Sequence, residues 1–101
     1  MKFLCRWSIP QKNWLPVIKK FTSMSPEEQK NAGKGVTIIG RWHDVAARTG
    51  VLILETDDLA AAQLYMGQWN PHMRIDLTPV FEDEDATAVY RKILSSNKPE
   101  R

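Results

Sequence analysis

Residues that most often announce chemistry are scarce in this 101-residue chain, which holds one cysteine and two histidines. A single thiol, Cys5, excludes an internal disulfide framework and fits a reducing compartment. With His43 and His72 it offers no two ligands at helical or knuckle spacing, so no metal site is expected. Glycine is also sparse, with 5 residues. Gly33-Lys34-Gly35 lacks the Gly-x-x-x-x-Gly-Lys-Ser/Thr string of a phosphate loop and precedes a strand rather than a helix. There is no Gly-x-Ser-x-Gly elbow, and no motif calls for a cofactor.

Long apolar runs are missing as well. Nothing approaches the roughly 20 apolar residues that span a bilayer, and Arg6 interrupts the amino-terminal stretch before a secretory leader could form. Charge of one sign is missing too: 14 basic and 12 acidic residues leave a net charge of +2. They are dispersed along the chain, with no electrostatic footprint for nucleic acid. These absences predict a soluble cytoplasmic protein with neither a membrane nor a nucleic acid as partner. A chain of this length supports one core.

What is present is an alternation of hydrophobic periods. Phe3, Cys5, Trp7 and Ile9 repeat every second residue and predict a first strand over 2–9. Pro10 ends it. Trp14, Val17, Ile18 and Phe21 then follow the spacing of one helix face, with Asn13 as the expected cap and Pro16 at the third helical position. Ser25-Pro26-Glu27-Glu28 is a capping box that opens a short helical turn ending near Gly33. Two apolar runs predict strands over 36–44 and 50–56, joined by the short connection 45–49 as an antiparallel hairpin.

Asp57 or Asp58 caps a second helix whose stripe is Leu59, Ala62, Tyr65, Met66 and Trp69, closed by Asn70-Pro71. A fourth strand over 72–81 points Met73, Ile75, Leu77 and Phe81 one way. Arg74 and Asp76 point the other way, beside Arg6, for a cross-strand ion pair. A last helix begins in the acidic group 82–85, with Ala86, Val89, Tyr90 and Ile93 as its docking face. The order βαββαβ plus a helix predicts an α+β, ferredoxin-like domain with a four-stranded antiparallel sheet over 1–95 and a tail over 96–101. Pro79 fits there because the fourth strand is an edge. Both main helices cover one sheet face, so a second copy of the chain is expected on the other.

The residues Met1-Lys2-Phe3, Gly40-Arg41-Trp42-His43-Asp44-Val45, Glu55-Thr56-Asp57-Asp58, Trp69 and Thr78-Pro79-Val80 together resemble the uncharacterised family known as domain of unknown function 3303. Its most specific string is Gly-Arg-Trp-His-Asp. That family is similar to the dimeric α/β barrel proteins, in which two ferredoxin-like sheets pack face to face. The resemblance implies the fold and a homodimer, and it assigns no catalytic residue.

The hairpin gathers a guanidinium, an indole, an imidazole and a carboxylate. Arg41 and His43 are candidate polar groups of a small-molecule cleft, with Trp42, Trp7 and Trp69 as candidate walls. Regular alternation puts Ile39, Arg41 and His43 on one face, so that His43 and Asp44 point apart. Two functions follow. One is a binding or structural module whose dimer is the working unit. The alternative is a cofactor-independent enzyme, monooxygenase-like or isomerase-like, acting on a small organic molecule. RNA recognition is disfavoured, because Val51-Leu52-Ile53-Leu54 supplies no aromatic for base stacking.

Overall fold

The computed structural model describes residues 1–97. Eight elements follow one another: β1 (Lys2–Ser8), α1 (Gln11–Ser23), α2 (Pro26–Gln29), β2 (Thr37–Asp44), β3 (Thr49–Glu55), α3 (Leu59–Gly67), β4 (Arg74–Val80) and α4 (Asp83–Ser96). The strands form one antiparallel sheet in the order β2-β3-β1-β4. This is the ferredoxin-like arrangement, with β4 on an edge and exposed Pro79 opposite Phe3.

Local chemistry sets the element ends. Ser25 and Glu28 form the reciprocal capping box of α2, and the Asp58 carboxylate accepts from the Ala61 N–H at the start of α3. The β2–β3 hairpin turns through Val45–Arg48, with Arg48 at φ 57° and the Asp44 carboxylate accepting from the Ala47 N–H. α1 begins two residues before the expected cap. Pro10 closes the strand (φ −58°, ψ 146°) and precedes Gln11 as the first helical residue. Asn13 therefore lies inside the helix, where its amide donates to the His72 carbonyl at 2.9 Å. Pro16 becomes the sixth helical residue rather than the third. It is exposed, so water can serve the carbonyl that a prolyl nitrogen leaves without a donor.

The core lies between the sheet and the helices. Phe3 and Cys5 from β1, Leu52 and Leu54 from β3, and Ala62, Tyr65 and Met66 from α3 are buried there, closed at one end by Ala32 and Val36. Cys5 is 1 % exposed, and its thiol donates to the Met66 thioether at 3.4 Å. Thr56 is the one buried polar residue among those described. Its hydroxyl donates to the Gly35 carbonyl (2.7 Å) and accepts from the Asp58 N–H (3.0 Å), joining the loop before β2 to the start of α3.

Several apolar positions lie elsewhere than the periodicity predicts. Leu59 is exposed at the start of α3, and Trp69 is half-buried just beyond its end. Phe81 falls after β4 and is exposed. α4 differs most: Val89, Tyr90, Ile93 and Leu94 are all exposed, and no α4 residue is buried. The helix projects from the body, tied at its root by the ion pair of Lys2 with Glu82. The radius of gyration is 17.5 Å with a long axis of 63 Å, whereas a compact chain of this length has about 13 Å. Of the expected tail, Ser96 is the last residue of α4 and Asn97 its C-cap, and 98–101 lie outside the described residues. No described helix is long and apolar enough to cross a membrane.

Candidate functional site

A bulge decides which hairpin residues face the core. Ile38 pairs with Leu54, but Gly40 already pairs with Ile53, so Ile39 is an extra residue in β2. Each residue beyond it moves to the opposite face from the one regular pairing would give. Arg41 is thereby set against Leu52 and His43 against Gly50, on the helix-covered face, while Trp42 is set against Val51 on the open face. Arg41 and His43 do share a face, as expected. Their companion is Ile38, and Ile39 is half exposed at the bulge.

Between the sheet and α1 and α3 lies a cavity of about 100 Å³. Its floor is Cys5, Trp7, Leu52 and Ile75, its α1 wall is Trp14, Val17, Ile18 and Phe21, and Tyr65, Met66 and Trp69 close the α3 side. Arg41 and His43 enter from β2, with Asp44 at the rim. Of the five candidate residues, Arg41, His43, Trp7 and Trp69 therefore come together. Trp42 does not line this cavity: it is 57 % exposed on the other face, lying over Gly40.

The polar groups are held by aromatic neighbours. Arg41 Nη2 donates to the Tyr65 hydroxyl at 3.0 Å, and the guanidinium carbon stands 5.3 Å from the centroid of the Phe21 ring, a cation–π geometry. The His43 ring lies 5.4 Å from both Trp7 and Phe21. Partial burial, and then the nearby charge of Arg41, hold the His43 imidazole below its ordinary value, which favours the neutral ring at pH 7. Burial first, with Asp76 adding, pushes the Cys5 thiol up to about 11 against the lowering effect of Arg41. Cys5 is thus a core thiol rather than a nucleophile. Outside the cavity Lys20 sits 4.7 Å above the Trp69 ring.

On the open face Arg6 is opposite Asp76 in the register, but the Asp76 carboxylate pairs with Arg74 at 3.6 Å. Phe21, Tyr65 and Trp14 are site residues that the sequence reading placed only in helix stripes. The helical periodicity places them on apolar faces, and only the packing of α1 and α3 against the sheet brings them into one cleft with Arg41. Among the described residues no three of His, Cys, Asp and Glu converge as a metal site would need.

The family model described as Domain of unknown function (DUF3303) matches residues 1–94. No curated protein matches the chain.

Proposed function

This chain belongs to the DUF3303 family, and we propose that it works as a homodimeric binding module for a small organic molecule, held in the cleft between the sheet and α1 and α3. The observation that carries this reading is the aromatic-walled cleft that Arg41 enters, with His43 at its mouth. Clefts of this kind, mostly apolar with a few convergent polar groups, are where proteins hold small ligands. A chain with a reduced, buried thiol suits the cytoplasm.

The dimer follows from two unpartnered apolar surfaces on one chain. Leu4, Val51, Ile53 and Trp42 share the helix-free sheet face by register, and α4 carries a second exposed stripe. A second copy covers both with surfaces the chain already has.

A second reading, cofactor-independent catalysis of the monooxygenase or isomerase kind, draws on His43. An imidazole kept neutral beside a guanidinium is suited to take a proton from a ligand whose developing negative charge Arg41 then stabilises. Two-dimensional amide spectra of the labelled protein, titrated with single-ring organic compounds, test the binding reading. Saturable shifts confined to residues of β1, β2, α1 and α3 around the cavity support it. Shifts scattered over the surface, or none, overturn it. Proton NMR of the recovered compound, which resolves isomers as well as oxidised products, distinguishes turnover from binding.

A further inference from the structure

Arg41 is a charge with no counter-ion inside the fold. It is partly buried and enters a cavity otherwise lined almost wholly by apolar and aromatic groups. Among the described residues, no carboxylate lies within ion-pair distance of it. The one acidic residue lining the cleft, Asp44, is exposed and accepts from the Ala47 N–H across the hairpin turn. Charges taken out of water are ordinarily paired. Here the guanidinium has only a phenol and a ring face.

Resting on the cleft reading above, we propose that the ligand is an aromatic monocarboxylate, its carboxylate held by Arg41 and Tyr65 and its ring held among Trp7, Trp14, Phe21 and Trp69. Three features select this class. The Arg41–Tyr65 bond uses one of the five guanidinium N–H donors, leaving others for an anion. Because Tyr65 accepts in that bond, its own O–H remains free to donate, so the pair offers two donors to the two oxygens of a carboxylate. The surrounding walls are flat rings, which favour a planar, unsaturated body. The volume, about 100 Å³, is smaller than the 150 Å³ engineered apolar cavity that accepts benzene. One ring projecting toward the mouth is therefore the largest body that fits. His43, held toward its neutral form at that mouth, adds no second charge that would call for a dianion.

The test uses the full chain and follows tryptophan fluorescence and amide shifts with four probes: benzoate, benzyl alcohol, benzylamine and acetate. Benzoate is expected to bind about tenfold or more tighter than benzyl alcohol, the increment of a charge-assisted hydrogen bond. Acetate and benzylamine are expected to bind more weakly still. Arg41→Met, which keeps the stem and removes the charge, should reduce benzoate to the level of benzyl alcohol and leave benzyl alcohol unchanged. Tyr65→Phe should weaken benzoate severalfold with the same selectivity, and it guards against a folding defect in the Arg41 variant. Equal binding of benzoate and benzyl alcohol would overturn the carboxylate while leaving the cleft in place. Acetate binding as tightly as benzoate would overturn the aromatic ring. No binding by any ring compound would overturn the cleft reading, and this one with it.

Discussion

Trp7 and His43 meet edge to face across a residue that has no side chain. Their ring centroids are 5.4 Å apart with planes at 71°, and Gly50, paired with Trp7 on one side and His43 on the other, leaves the space the Trp7 ring occupies. A β-carbon on Gly50 would collide with the Trp7 indole and come within 2.7 Å of the Trp42 carbonyl oxygen. Backbone cannot swing aside as a side-chain tip can. Gly50→Ala should therefore cost about 1–3 kcal/mol, as overpacking does, and should move the amide signals of Trp7 and His43. Gly40→Ala is the control. The three atoms nearest its β-carbon all belong to the Trp42 ring, a side chain that can give where backbone cannot, so its urea midpoint should fall less than that of Gly50→Ala. Equal losses for the two variants would contradict this account.

Thr56 gives a second stability prediction. Its hydroxyl joins the Gly35 carbonyl to the Asp58 N–H from a buried position. Thr56→Val keeps the shape and leaves both partners without it. Gly35 and Asp58 are themselves exposed, so water can serve them, and the expected cost is the net worth of a hydrogen bond, about 0.5–1.5 kcal/mol, measured by urea denaturation. Thr56→Ser should recover most of the loss because it restores the hydroxyl.

Cys5 supplies a pH prediction with a definite sign. Its thiol ionises at about 11 in the fold, against 9.0 for an ordinary cysteine. Above pH 9 the unfolded chain gives up this proton while the folded chain keeps it, so ionisation pulls the equilibrium toward unfolding. The contribution of Cys5 is complete below about pH 9 and is lost as the pH rises through about 11. Cys5→Ala should flatten that alkaline decline relative to the parent. Thiol-specific labelling should be slow in native buffer and fast in denaturant, and fast native labelling would contradict the burial of Cys5.

The four strands and the face that carries α1 and α3 were legible in the sequence, because periods of two and of 3.6 alternate and Phe3, Cys5, Leu52 and Leu54 fall in phase, and the βαββαβ succession then pointed to the topology. The bulge at Ile39 was not legible. Ile38 and Ile39 are equally apolar neighbours, so nothing in the pattern marks one of them as extra, and the pairing of Gly40 with Ile53 is a tertiary outcome. That one residue decides that Arg41, and not Trp42, enters the cavity. The start of α1 was also hidden, since Asn13 is a good cap by composition and Pro10 prevails only through the geometry that ends β1. For α4 the stripe was legible and its partner was not, because an amphipathic pattern records that a surface must be covered without recording by what.

That unpartnered stripe leads to the final prediction. Val89, Ile93 and Leu94 are 40 %, 49 % and 70 % exposed, so within one chain a polar substitution there removes almost no packing and should change stability by about 0.5 kcal/mol or less. In a homodimer covered by these surfaces the same change places a charge in an apolar interface. The parent protein is expected to scatter light at twice the chain mass of 11.6 kDa, and its melting temperature should rise with protein concentration, as binding between folded chains requires. Ile93→Asp should shift the mass toward the single chain at micromolar concentration and remove that concentration dependence. Ile53→Lys makes the same test on the helix-free sheet face. If both variants dissociate, both surfaces belong to one interface. If only Ile53→Lys does, the sheets alone form the dimer and α4 reaches elsewhere. A parent protein that scatters as a single chain across the concentration range would refute the dimer outright.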